Sequence, residues 1–171
     1  KIQRPTLPSM YGAMLGGVDF VLMGAGIPLA IPGILDKLAE WDVVELKLGV
    51  ADNPNRHAYS QTFDPNEYRE GDQFPLKRPK FLAIISSEIL AQTFVRRASG
   101  YTDGFVVEYH TAGGHNAPTR KDRDFPDRVN QYGPKDEPNL EAIVAVGRPF
   151  WMAGGYATPE KVHWAIAQGA T

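Results

Sequence analysis

Reactive chemistry concentrates in one stretch of this chain, Thr111-Ala112-Gly113-Gly114-His115-Asn116-Ala117-Pro118. Two adjacent glycines let a backbone approach a flat ring or a phosphate closely, because no Cβ stands in the way. His115 follows directly, and histidine is the side chain whose unperturbed pKa lies near neutrality. A general base poised over a flat ligand needs that pairing of bare backbone and titratable ring. The same residues also describe a turn with an incidental surface histidine, and spacing alone does not separate the two readings.

A second stretch, Ala153-Gly154-Gly155 running into Thr158-Pro159-Glu160, suits an anion. A strand that ends in glycines and enters a helix aims backbone N–H groups outward, where the helix dipole favours a phosphate. A tight connection that needs glycine for its turn explains it equally well. Gly24-Ala25-Gly26-Ile27-Pro28 lacks the third glycine of a dinucleotide fingerprint and reads as a glycine-rich strand exit. Ser86-Ser87 reads first as a helix cap. His110 and His115 have no third ligand at a recognised metal spacing, so no metal is expected. His57 and His163 read as surface residues, and the mixed-sign run Arg120-Lys121-Asp122-Arg123-Asp124 as a solvated loop. Neither a serine-hydrolase elbow nor a P-loop is present.

Loops of this kind need strands and helices to hold them. Short apolar runs at Val18–Met23, Lys80–Ile85, Gly104–Glu108 and Pro149–Ala153 read as strands. Between them Pro32 opens a helix with Ile34, Leu35, Leu38 and Trp41 on one face. Ser86 or Ser87 can cap a helix carrying Ile89, Leu90, Phe94, Val95 and Ala98, and Asn139 can cap Leu140–Val146. Thr158 and Pro159 start a last helix, with Gly169 as its stop. Two joints resemble each other, Gly17-Val18-Asp19-Phe20-Val21 and Thr102-Asp103-Gly104-Phe105-Val106.

Apolar strands alternating with amphipathic helices predict an α/β fold with a parallel sheet. A doubly wound sheet and a TIM barrel both fit. Four such strands amount to about half of an eight-stranded barrel. Two segments break the rhythm. Residues Asp42–Phe63 alternate around Asn53-Pro54-Asn55 and predict a β-hairpin excursion, and Tyr109–Pro138 is a long charged loop with four prolines, a candidate lid.

Composition narrows the class. Hydrophobic residues make up 43% and charged residues 22% of 171 positions, an ordinary globular balance. A net charge of −2 gives no electrostatic case for nucleic acid or an anionic membrane. No apolar run approaches the ~20 residues of a membrane span, and the first residues lack a secretory apolar region. The absence of cysteine excludes disulfides and thiolate metal sites. These features predict a soluble, cytoplasmic protein. The ends, Lys1 and Gln168-Gly169-Ala170-Thr171, suggest one partial domain over 1–171 cut at both sides.

Several segments together resemble one family. Asp103-Gly104-Phe105-Val106-Val107-Glu108, Thr111-Ala112-Gly113-Gly114-His115 and Pro149-Phe150-Trp151-Met152-Ala153-Gly154-Gly155 are similar to segments of the nitronate monooxygenases, the 2-nitropropane dioxygenase-like family. Val18–Pro28 and Lys80–Ser87 fit the same family in the same order, so the resemblance covers nearly the whole chain. It is weakest over Trp41–Arg78. The resemblance implies an FMN-dependent TIM (β/α)8 barrel that oxidises nitronates or nitroalkanes with molecular oxygen. It implies His115 as the active-site histidine and Gly113 and Gly114 as backbone beside the flavin. Met152, Gly154 and Gly155 would form the turn that holds the FMN phosphate. Tyr109 and Thr111 depart from the family, which often has glycine and a carboxylate there, and Tyr109 would narrow the pocket. An FMN-dependent enoyl thioester reductase on the same barrel is the rival enzyme, and a non-catalytic barrel fragment the rival outside enzymology. Without the remaining strands the chain is expected to bind FMN poorly.

Overall fold

The computed structural model of the chain describes residues 3–24, 26–50, 59–68, 71, 74–114, 119 and 131–171. Its contacts divide it into two compact units. One comprises residues 1–21, 25–81 and 98–101, the other 22–24, 82–97 and 102–171.

The first unit is held by two helices and a hairpin. Helix α1 (Thr6–Leu15) buries Leu7, Met10, Tyr11 and Met14, a stripe at helical spacing. Helix α2 (Ile31–Ala39) buries Ile34, Leu35 and Leu38, with proline in its first turn as expected. It closes in a Schellman motif, Trp41 N donating to Leu38 O and Asp42 N to Lys37 O. Trp41 therefore takes the left-handed conformation, φ 62°, at a position that usually prefers glycine. Aromatic packing holds it there: its ring meets Tyr11 and Phe74 edge-on at 6.1 and 6.3 Å, and its indole N–H donates to Phe74 O.

The predicted hairpin is present. Strands β2 (Val44–Leu48) and β3 (Tyr59–Phe63) pair antiparallel, with Val44 opposite Phe63 and Leu48 opposite Tyr59. They form a sheet of their own. Phe63 packs on Tyr11 and stacks on Tyr68 at 5.3 Å. The guanidinium of Arg78 donates to Asp36 Oδ1 and to the carbonyls of Pro79 and Tyr101, tying α2 to two loops of the same unit.

A four-stranded parallel sheet carries the rest: β1 (Phe20–Met23), β4 (Lys80–Ile85), β5 (Gly104–Glu108) and β6 (Phe150–Ala153). Along the sheet their order is β1-β4-β5-β6, so sequence order never reverses. Strand β6 starts one residue later than expected, at Phe150, since Pro149 has no N–H to give a ladder.

Among the described residues the second unit contains three α-helices. Ser87 Oγ accepts from Leu90 N at the start of α3 (Glu88–Arg97). Asn139 Oδ1 accepts from Ala142 N at the start of α4 (Leu140–Val144), and Thr158 Oγ1 accepts from Lys161 N at the start of α5 (Pro159–Ala167). Helix α4 ends two residues before the predicted Val146, in a turn completed by Gly147 at φ 73°. After α5 the chain reaches Gly169 at φ 93°, and Thr171 N donates to Phe150 O at 2.8 Å. Pro149 O accepts from Phe105 N of β5. Successive carbonyls of a strand point to opposite edges, so Thr171 lies on the β6 edge away from β5.

Strand alternation gives the sheet two unlike faces. Phe105, Val107 and Phe150 lie on one and have essentially no exposure; with Ala91 and Phe94 of α3 and Leu140 and Ile143 of α4 they make up the unit's core. Leu82, Ile84, Gly104, Val106, Glu108, Trp151 and Ala153 lie on the other, by the register of β4 with β5 and β5 with β6. Of these, Ile84, Val106, Glu108, Trp151 and Ala153 are half-buried. This second, more open face leads to the strand-end loops.

Candidate functional site

Strand β5 delivers the candidate residues to the carboxyl end of the sheet, where open and closed α/β sheets place their ligands. Thr111, Ala112, Gly113 and Gly114 form the bend that leaves it. His115, the residue expected to act as base, lies outside the described residues, as do His57 and the Arg120–Asp124 run.

The bend is locked to the exit of β6. Thr111 Oγ1 donates to Gly154 O at 2.9 Å. Gly154, at φ 100°, lies so close to the bend that a Cβ on it would stand 2.6 Å from Ala112 Cα. Two sequence segments read separately as sites thus meet: Thr111–Gly114 and Gly154–Gly155 share one corner of the fold.

The glycines of that corner play different parts. Gly154 is bare because its own chain fills the place of a side chain. Among the described residues nothing lies within 4 Å of an added Cβ on Gly113 or Gly114. Gly155, at φ 84°, has Lys161 Nζ 3.8 Å and Thr111 Oγ1 3.9 Å from the position of a Cβ. That places a cation and a hydroxyl beside the start of α5. Glu160 shares this helix start, its carboxyl held below the ordinary glutamate range by its own backbone N–H and then by the Thr158 hydroxyl. A phosphate bound here would meet Lys161 and the helix dipole on one side and the Glu160 carboxylate on the other.

Met152 sits opposite Val107 in the register, so its side chain belongs to the face of Phe105 and Phe150. Trp151 and Ala153, its neighbours, are the β6 residues on the open face. An added Cβ on Gly104 would stand 3.0 Å from Leu82 Cδ2 and 3.2 Å from Trp151 Cζ3, so the missing side chain makes room for the indole over the lower part of that face. Gly24, at the end of β1, packs on Ile84, leaving 2.7 Å between an added Cβ and Ile84 Cβ.

Glu108 is the residue that motif reading passes over. It ends β5 on the open face, opposite Ala153. Burial pushes its carboxyl above the ordinary glutamate range. The signal was present in the period-two alternation of Gly104-Phe105-Val106-Val107-Glu108, which puts a carboxylate among apolar positions.

Tyr109 turns toward the segment after the long loop. Its ring lies edge-on to Tyr132 at 6.4 Å, and His110 stacks on Tyr132 at 5.1 Å. Burial, then the negative charges of Glu137 and Asp136, raise the Tyr109 phenol. Asp136 Oδ2 accepts from Gly133 N and closes the short 3-10 turn Pro134–Asp136. Tyr109, His110 and Tyr132 therefore clasp residues 131–137 to the β5 exit. Tyr156, raised by burial, stacks on Trp164 of α5 at 6.1 Å.

A groove of about 230 Å³ between α3 and α4, lined by Gln92, Val95, Arg96, Ala142, Ala145 and Val146, contains none of these residues. Among the described residues no three His, Asp or Glu side chains are grouped to hold a metal, and no helix is long and apolar enough to cross a membrane. No protein-family model matches the chain, and neither the curated proteins nor the solved structures contain a match.

Proposed function

We propose that this chain is part of an FMN-dependent (β/α)8-barrel oxidoreductase that oxidises nitronates or nitroalkanes with molecular oxygen. One observation carries the reading. The Thr111–Gly114 bend, which resembles the nitronate monooxygenase motif, leaves β5 at the carboxyl end of a parallel sheet and is bonded to the Gly154-Gly155 turn.

The barrel half of the proposal rests on strand order. A doubly wound sheet reverses direction at a switch point, whereas a barrel adds each strand beside the last. Here the four described strands follow one another without reversal. An open, largely apolar sheet face is what the interior of such a barrel requires.

The residues present fit FMN in kind. Gly113 and Gly114 offer backbone that no described residue crowds for a flat ring, and Gly155 and Lys161 offer a cation at the α5 start, which the Glu160 carboxylate shares. Gly154 serves by allowing the two loops to touch, and Met152 contributes through backbone alone. The flavin, when bound, supplies the redox chemistry. The chain's own share is to seat the substrate against the glycine bend and to exclude water. His115 is proposed as the group that takes a proton from the substrate carbon.

Titration with FMN of the complete barrel that the proposal describes, followed by flavin fluorescence, tests the cofactor. Oxygen uptake with propane 2-nitronate then tests the reaction. Saturable quenching and nitronate-dependent uptake are expected, and His115→Asn should sharply reduce uptake with neutral 2-nitropropane while leaving FMN bound. Absence of FMN binding by that complete barrel would sink the proposal. Nicotinamide-dependent reduction of an enoyl thioester without oxygen uptake would favour the rival enzyme.

A further inference from the structure

Glu108 raises a question that the glycine bend does not answer. It is the charged residue at the carboxyl end of the open face, which also holds Leu82, Ile84, Gly104, Val106, Trp151 and Ala153, with Lys80 at the amino end of β4. A carboxylate on an apolar face loses hydration without gaining a partner, so such a position favours the neutral acid. Among the described residues the elements beside it bring no charge to its end of the face: β4 contributes Leu82, Ile84 and, at its amino end, Lys80, and β6 contributes Trp151 and Ala153. On the loop that follows, Tyr109 is engaged by Tyr132 and by the charges of Glu137 and Asp136, and His110 stacks on Tyr132. Burial alone accounts for the upward shift of its carboxyl.

Its surroundings also give it reach. Its cross-strand neighbour Ala153 is small, and it stands at the strand end next to the bend whose Gly113 and Gly114 no described residue crowds. A neutral carboxylic acid in such a place is a hydrogen-bond donor, and the partner it suits best is an oxyanion.

We propose that Glu108 discriminates substrates by charge: as the acid it donates a hydrogen bond to an anionic oxygen of the bound compound, and as the carboxylate it repels the same anion. This rests on the oxidoreductase reading of the site and deepens it, because a nitronate is an anion and its parent nitroalkane is neutral. No covalent step is involved. The sign follows from the titration: at low pH the proton is on Glu108 and anions bind, and as pH rises through its raised value the anion loses a donor and meets a charge. Binding of a neutral compound stays level.

Isobutyrate, a stable carboxylate of the same outline as propane 2-nitronate, and isobutyramide, its neutral counterpart, test this by NMR titration of the full chain. In the unaltered protein, isobutyrate affinity, corrected for the ligand's own protonation, is expected to fall about tenfold or more as pH rises through the raised Glu108 transition, the equivalent of one charge-assisted hydrogen bond. Isobutyramide affinity should not move. Glu108→Gln, which keeps shape and an N–H donor, should flatten the isobutyrate profile, and Glu108→Met, matched to the apolar face, should weaken isobutyrate at low pH. The Met variant decides the matter if the Gln variant does not fold. An unchanged pH profile in either variant overturns the proposal, as does a level profile in the parent. FMN titration of the same samples separates the two ideas. FMN binding with an isobutyrate profile indifferent to Glu108 removes this inference alone, while loss of both removes the site itself.

Discussion

Gly113 and Gly154 are both glycines at strand exits, and their surroundings assign them opposite duties. A methyl group on Gly154 would press into the Ala112 backbone, and its φ of 100° is one that L-residues rarely adopt. Gly154→Ala should therefore lower unfolding free energy by about 2–4 kcal/mol, from backbone strain and overpacking together. Gly113→Ala meets nothing within 4 Å among the described residues, and stability should stay within about 0.5 kcal/mol of the parent. If the bend seats a flat ring, the same variant should weaken FMN by about tenfold, since a methyl intrudes where the ring would lie. Urea denaturation and flavin fluorescence read the two effects separately, and a stable Gly113→Ala protein with unaltered FMN affinity would free that glycine of its assigned role. The sequence showed that both positions were special. It could not show which void was filled by the chain itself, because that depends on a contact between residues more than forty positions apart.

Helix starts divide in the same way between local and remote causes. Thr158 and Asn139 cap their own helices three residues ahead, and both were legible from residue type and position. Helix α2 is different. Its N-cap residue is Ala30, which has no oxygen to offer, and the N–H of Gly33 is met by Ser99 Oγ at 3.0 Å. The same hydroxyl lies 2.9 Å from Ala30 O, to which it donates. Ser99 stands 66 residues from Gly33, beyond the reach of any local pattern. Ser99→Ala should cost about 1 kcal/mol, the ordinary worth of a cap, and hydrogen exchange should quicken first in the opening turn of α2. Unchanged protection there would show that the bond adds nothing. Helix α1 was missed for another reason. Its Leu7, Met10, Tyr11 and Met14 stripe has helical spacing, while Pro8, Gly12 and the lack of a capping side chain weaken its local helix preference. Tertiary burial outweighs that weak local preference.

At the scale of the molecule, strand types and order followed from composition and periodicity, while the two sheet faces needed the register. Val106 and Val107 are indistinguishable as sequence, yet one is half-buried and the other fully buried. The same asymmetry leaves apolar surface exposed at two places in the second unit. Leu22 on β1 is 50% exposed. On α5, Val162 and Ile166 are 43% and 57% exposed at the i, i+4 spacing of one helix face, and only Ala165 of that helix is buried. Monomeric proteins rarely leave such stripes uncovered. The 171-residue chain by itself should therefore self-associate as its concentration rises, and should bind 1-anilinonaphthalene-8-sulfonate in its folded state. Val162→Lys combined with Ile166→Lys puts two like charges on the stripe, which repel an identical partner without touching the core. Sedimentation equilibrium should show weaker association in that variant with the thermal midpoint unchanged. If association persists undiminished, α5 is not the contacting face, and Leu22→Lys then tests the open side of the sheet by the same measurement.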